Sequence, residues 1–305
     1  MRGGERQCAA EDRRGVGDVR YASVCDGIGA VHAAWLPLGW TCAWHAEIDP
    51  FPAAVVEHRF GDAAGPNLGD MTAISEQTTH DLGPIDLLVG GTPCQSFSVA
   101  GLRRGMDDPR GNLALVFLRI AARTRSRWLL WENVPGCLSS SGGRDFGALL
   151  GGLRELGYGF CWRVLDAQHF GVPQRRRRVF LVGHAGDWRP AAAALLERES
   201  VRGHPPEERR EEVEVAGTLT TRTGRANDNY SAECGHLVVH PDGRPRWMTP
   251  REAERLQGFP DDHTLVPWRG GLAKDSPRYK AIGNSMAVNV MAWLGRRIGA
   301  VEAIL

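Results

Sequence analysis

The sequence predicts an α/β fold: a parallel sheet with helices on both faces, together with a second, smaller domain. Three observations carry this. Short apolar runs alternate with helical segments from Tyr21 to Gly183. Runs such as "IDLLVGG" and "RWLLWENV" have continuous apolar centres, "LLV" and "WLL" with the next Trp, as buried strands do. The rhythm stops after Gly183, where about sixty residues rich in Arg, Glu, Pro, Gly and Thr follow with only short apolar runs.

Taken in order, "RYASVC" reads as a buried strand and "GIGAVHAAWLPLGW" as a glycine turn feeding a short helix that Pro37 and Gly39 end. "TCAWHAEID" is a second strand and "PFPAAVVEHRF" a helix with prolines near its first turn. "IDLLVGG" is a strand, "LALVFLRIAART" a helix, "RWLLWENV" a strand, "DFGALLGGLRELG" a helix closed by Gly157, and "RVFLVG" a strand. Residues 187–244 read as a separate small domain inserted into a larger one of residues 19–186 and 245–305, with 1–18 a polar, disordered extension. Helical pattern returns in "TPREAERLQ", where Thr249 suits an N-cap and Pro250 the first helical position. A last amphipathic helix, "SMAVNVMAWLGRRIG", is expected to begin at Ser285.

Composition narrows the classes of function. Of 305 residues, 42% are hydrophobic and 24% charged, the balance of a globular protein rather than a disordered one. The formal net charge of +1 conceals arginine clusters at Arg103 to Arg127, Arg175 to Arg178 and Arg202 to Arg255, which suit a basic face or, equally, a solvated surface. The seven cysteines are odd in number and widely spaced, with no CxxC pair to suggest a zinc site or a redox motif, and a reducing cytoplasmic setting is expected. No apolar run reaches the ~20 residues of a membrane helix.

Ligands of parallel sheets gather at the carboxyl ends of the strands, and those ends carry chemistry here. The first leads into "CDGIGA", where Gly27 and Gly29 permit a tight turn and close approach of backbone to a nucleotide-like ligand. The second ends in Glu47, an acceptor suited to ribose hydroxyls, and "NLGDM" places Asp70 where a third such loop falls. Each acid alone is equally a helix cap or a solvated carboxylate. Cys94 follows Pro93 directly after the next strand. An isolated cysteine is more often a small buried hydrophobe, but arginines nearby would stabilise a thiolate, and Arg176 and Arg178 are available. Glu132, ending the following strand, brings a carboxyl to the same edge.

The ordered series "CDGIG", "AEID", "NLGD", "GTPCQSFS", "DPRGNL", "WENV", "PQRRRRVFLVG", "RWMTPREAERLQGFP", "AIGNSMAVNV" resembles the motif series of the cytosine-5 DNA methyltransferases, especially their short bacterial and prophage members, from about Tyr21 to Ile298. The resemblance implies an α/β, Rossmann-like methyltransferase fold with a mixed, mostly parallel sheet and a small target-recognition domain, and S-adenosylmethionine as cofactor. It implies cofactor contacts from Cys25, Gly27, Ile28, Gly29, Glu47, Ile48, Asp70, Met71, Pro93, Leu113, Asn284 and Ser285. Cys94 matches the nucleophile, Glu132 the glutamate of the ENV motif, and Arg176 and Arg178 the paired arginines.

In the implied reaction a thiolate adds to carbon 6 of a flipped-out cytosine and so activates carbon 5 towards methylation. The resemblance further implies that residues 187–244 recognise double-stranded DNA and that Gln95, Ser98, Arg103, Arg104, Gln174, Arg222 and Arg225 contact it. No membrane and no obligate protein partner is expected, though a cognate restriction endonuclease would suit the family. Two departures stand out: Cys25, followed by Asp26, occupies a position where the family usually has an aromatic residue, and Ile48 replaces an aromatic of some members. A tRNA cytosine-5 methyltransferase and a non-catalytic DNA-binding remnant are the rival readings.

Overall fold

The computed structural model describes residues 18–93, 113–197, 216–219, 237–239 and 244–305. Six strands form the central sheet: β1 (Arg20–Val24), β2 (Thr41–Ala46), β3 (Leu87–Gly90), β4 (Trp128–Asn133), β5 (Tyr158–Asp166) and β6 (Arg177–Ala185), in the order β2-β1-β3-β4-β6-β5. The first four are parallel neighbours, and β6 runs antiparallel to both β4 and β5. This is the mixed, mostly parallel α/β sheet that the family resemblance implies, while the apolar rhythm alone predicts a parallel one.

Strand residues alternate between two cores, which is why the centres of the runs are continuously apolar. Leu87, Val89, Trp128, Leu130, Phe180 and Val182 face one core, while Leu88, Leu129, Trp131, Val179 and Leu181 face the other. The first is closed by α1 (Ala30–Trp35), α2 (Pro50–Phe60), α6 (Trp188–Leu195), α7 (Pro250–Leu256), α8 (Asp275–Asn284) and α9 (Val288–Glu302). The second is closed chiefly by α4 (Leu113–Thr124) and α5 (Arg144–Glu155), with the short α3 (Glu76–Asp81) beside α4. Thr249 caps α7 as expected, in a reciprocal capping box with Glu252.

The structure corrects several expectations. Strand β5 is not announced by the sequence rhythm: it is an edge strand of middling burial, and Arg163 interrupts its apolar residues. Helix α6 packs on β5, β6 and α9 with Ala191, Ala194 and Leu195 fully buried, so a small domain starting at 187 takes in a helix that belongs to the main body. Its other boundary, at 244, falls between β7 (Leu237–Val239) and β8 (Pro245–Trp247), which pair with each other. The final helix begins at Val288 rather than Ser285. Ser285 is the C-cap of α8, a helix overlooked because Pro277 lies in it, yet only in the first turn, where no intrahelical N–H bond is lost.

Helix α9 crosses α1 closely because residue 295 is glycine. A Cβ there would stand 2.6 Å from the Trp35 indole and 2.9 Å from Leu38. The buried Trp35 ring cannot retreat, since its Nε1 donates to the Met291 carbonyl at 2.8 Å. Gly295→Ala is therefore expected to lower stability by about 1–3 kcal/mol through overpacking, although alanine would favour an exposed helix by about 0.5–1 kcal/mol. A urea titration measures this as a lower midpoint with an unchanged slope.

Candidate active site

The carboxyl ends of β1 to β4 open into one cavity of about 960 Å³, within the size range of sites for nucleotide-sized ligands. At the end of β1 the chain turns through Cys25 and Gly27, both with positive φ, and the Gly27 N–H donates to Glu47 Oε2 at 2.7 Å. The second Glu47 oxygen accepts from the Asp49 N–H, also at 2.7 Å. Burial raises the Glu47 pKa, with these two donors opposing it. Asp70 caps the turn after it through the Thr72 N–H at 2.8 Å. Asn67 fastens this third loop to the second, its Oδ1 accepting from Glu47 N at 3.0 Å and Gly69 N at 2.9 Å. Sequence reading did not single out Asn67; its only signal was an asparagine two residues before a glycine.

Around these carboxylates stand the apolar side chains of Phe51, Ile48, Met71 and Leu113, with Asn284 closing the cavity from the C-terminal segment. Ile48 is 69% exposed, an apolar side chain left open at the rim. The Cys25 Sγ lies 3.4 Å from Met71 Sδ, and burial, aided by the carboxylates of Glu47, Asp26 and Asp70, pushes its thiol up to about 12, so it is not a reactive thiolate. An apolar slot flanked by two carboxylates fits the adenosine and amino groups of S-adenosylmethionine. Of the expected cofactor residues, Cys25, Gly27, Glu47, Ile48, Asp70, Met71, Pro93, Leu113 and Asn284 line the cavity. Ile28, Gly29 and Ser285 do not: Ile28 is buried behind the turn with its carbonyl accepting from His263 Nε2 at 2.8 Å, Gly29 caps α1, and Ser285 holds the bend after Asn284.

At the other end of the cavity Glu132 stands at the penultimate position of β4. Strand β6 runs the opposite way, so its beginning lies at this same edge and Arg178 Nε reaches Glu132 Oε1 at 3.3 Å. Burial nevertheless dominates and raises the Glu132 pKa, against the pull of Arg178 and Arg176. Arg176 is itself buried, which lowers its pKa to about 9, and it donates to the carbonyls of Leu219, Gly283 and Ser285 at 3.0, 3.2 and 2.6 Å. It ties three segments together rather than facing the cavity alone.

Asn133 and Trp131 secure the approach to Pro93, donating to the Thr92 carbonyl and hydroxyl, each at 2.9 Å. Neither was a sequence-level candidate. Gln174, expected to contact DNA, is fully buried and spends its amide on Leu256, Gln257 and Leu219, so that expectation is withdrawn. Cys94, Gln95, Ser98, Arg103, Arg104, Arg222 and Arg225 lie outside the described residues.

A family model described as C-5 cytosine-specific DNA methylase matches residues 19–214 and 203–300. The chain is 32% identical to a protein of Escherichia phage P1 named a DNA N-6-adenine-methyltransferase, over 91% of this chain and 61% of that protein's length. It is 31% identical to the Type II methyltransferase M.SsoII of Shigella sonnei, over 83% of this chain and 72% of the relative. Among solved structures a DNMT2 of Spodoptera frugiperda superposes with a TM-score of 0.67 over 92% of this chain and 99% of that one, and at 17% identity this speaks to the fold alone. With the family model spanning nearly the whole body and the site built on the same strand ends as the motif series, the chain belongs to the C-5 cytosine-specific DNA methylase family.

Proposed function

We propose that this protein transfers a methyl group from S-adenosylmethionine to carbon 5 of cytosine within a short sequence of double-stranded DNA. The observation that supports this most directly is Glu132, a buried carboxyl with a raised pKa that shares one cavity with the Glu47 and Asp70 carboxylates and with Pro93, the residue before Cys94. When bound, S-adenosylmethionine supplies an electrophilic methyl group on sulfur.

Glu47 and Asp70 accept hydrogen bonds from the hydroxyls and amine of the adenosine, and Phe51 with Ile48 covers its apolar faces. The target cytosine leaves the helical stack, at a cost of a few kcal/mol, to enter beside Glu132. Glu132 in its protonated form donates to ring nitrogen 3, so the charge produced when Cys94 Sγ adds to carbon 6 is neutralised as it forms. Arg178 keeps the glutamate oriented. After carbon 5 has been methylated, a base or water takes its proton, the C–H electron pair restores the double bond between carbons 5 and 6, and the carbon–sulfur pair leaves with Cys94 Sγ as thiolate.

Arg103, Arg104, Arg222 and Arg225 are assigned to phosphate contacts, and the stretch between α6 and β8 to recognition of the DNA site. A cognate restriction endonuclease would accord with the Type II name of the Shigella relative. The test is transfer of labelled methyl to duplex DNA and, separately, to bulk tRNA, with the modified base mapped. Label in DNA cytosine at one motif supports the proposal; label on tRNA alone overturns the choice of substrate.

Cys94→Ser is expected to abolish transfer while cofactor affinity, measured by calorimetry, changes by less than about threefold. Glu132→Gln is expected to slow the chemical step about 10²-fold or more in single-turnover assays. The raised pKa also has a stability consequence. Because folded Glu132 holds its proton to higher pH than the unfolded chain, where it is lost near ~4.3, stability falls as pH rises from there through the raised value. Thermal midpoints measured against pH should show this decline in the wild type and a shallower one in Glu132→Gln.

A further inference from the structure

The turn that forms the cofactor wall is strained and anchored from beneath. From residue 25 to residue 29 three φ angles are positive: 52° at Cys25, 62° at Gly27 and 78° at Gly29. Glycine adopts these values freely, whereas cysteine does so only where its surroundings compel it. Between Cys25 and Gly27 lies Asp26, which is buried and does not line the cavity. Its Oδ1 accepts from the Ser23 hydroxyl at 2.5 Å, and its Oδ2 meets Nε2 of His32 at 2.8 Å. His32 Nδ1 in turn meets the Tyr21 hydroxyl at 2.8 Å.

This chain of side chains joins the turn to the strand before it and the helix after it, since Tyr21 and Ser23 stand on β1 and His32 on α1. The rings of Trp35, His45 and Phe60 pack around it. Burial would push the Asp26 carboxyl up, but His32 and Ser23 overcome that and hold it below the usual carboxylate range. Apolar residues of equal volume would fill such a core at least as well, so stability alone is a weak reason for a buried pair. What an anchored carboxylate adds is direction, and here it sets the turn whose Gly27 N–H meets Glu47 and whose Cys25 faces Met71.

We infer that Asp26, held by Ser23, His32 and Tyr21, is a positioning residue for the cofactor: it keeps the glycine turn in the shape that binds S-adenosylmethionine. The identity of that ligand rests on the proposed function. Loss of the anchor leaves the chemistry intact and lowers the fraction of molecules whose turn is ready to bind, which weakens affinity by that fraction.

The test compares Asp26→Asn, which keeps the shape and removes the charge, with His32→Gln, whose amide can still donate to Asp26, and His32→Leu, which cannot. Calorimetry measures S-adenosylmethionine affinity, hydrogen exchange follows the Gly27 amide in cofactor-free protein, and steady-state assays separate KM from kcat. Asp26→Asn and His32→Leu are expected to bind about tenfold more weakly or worse, with faster exchange at Gly27 and a raised KM for the cofactor. Their kcat and their KM for DNA should stay within about twofold, and His32→Gln should regain most of the affinity.

Wild-type affinity in Asp26→Asn overturns the inference, as does failure of His32→Gln to the same degree as His32→Leu, or faster exchange along all of β1 together with the turn. If Asp26→Asn does not fold, Tyr21→Phe removes only the outermost partner: weaker binding at an unchanged thermal midpoint supports the inference, and unchanged binding overturns it. Wild-type protein that fails to bind S-adenosylmethionine would overturn the proposed function instead, and exchange at Gly27 would then decide the role of Asp26 by itself.

Discussion

Antiparallel pairing of β6 with both β4 and β5 carries the beginning of that strand to the edge where the four parallel strands end, and the catalytic half of the site depends on this reversal. A sixth strand running parallel to β4 would place Arg176 and Arg178 at the far end of the sheet. As built, Arg178 meets the carboxylate of Glu132 across neighbouring strands, and the register Glu132 to Phe180 fixes that meeting without any loop. A carboxyl so enclosed is costly to ionise. The arginines offset part of the cost without abolishing it, so the group can hold a proton that a solvated glutamate would shed.

Arg176 extends the same device beyond the sheet. Its guanidinium collects carbonyls from Leu219 and from the bend of Gly283 and Ser285, two places far from it and from each other in the chain. The 216–219 segment and the bend that presents Asn284 are thereby registered on the strand that orients Glu132. Gln174 and Gln257 complete the arrangement with bonds to Leu256, Leu219, Ile282 and Ser285. These buried polar groups are largely satisfied, and satisfied networks of this kind favour one arrangement over its near neighbours.

The cofactor half of the site is assembled from chain segments that are remote in sequence. The N-terminal strands contribute the glycine turn, Glu47 and Asp70, whereas the opposite wall comes from β9 (Pro267–Trp268) and α8. Lys280 bridges to Asp49 at 2.8 Å, the Phe51 and Trp268 rings stand edge to face at 5.3 Å, and Arg59 donates to the carbonyls of Asp262, His263 and Leu265. An exposed ion pair such as Lys280 with Asp49 contributes little by itself. Set beside the ring contact and the buried His263 bond to Ile28, it helps bring the two walls together.

Much of this protein is legible along the chain, because apolar periodicity and turn chemistry are local properties. Strands β1 to β4, the capped start of α7 and the glycine turn follow from residues that lie next to one another, and the acidic strand ends follow from where those strands stop. Because every parallel strand presents its carboxyl end on the same side, the strand pattern alone puts Glu47 and Glu132 at one edge of an α/β sheet, whereas Asp70 ends no strand and reaches that edge from the crossover between β2 and β3, where Asn67 bridges to His45. Only the tertiary structure decided the direction of β6, the exposed edge strand β5, and the inward burial of Arg176 and Gln174. Direction and burial are settled by what packs against an element, and for these residues the partners are 43 to 109 positions away in the chain.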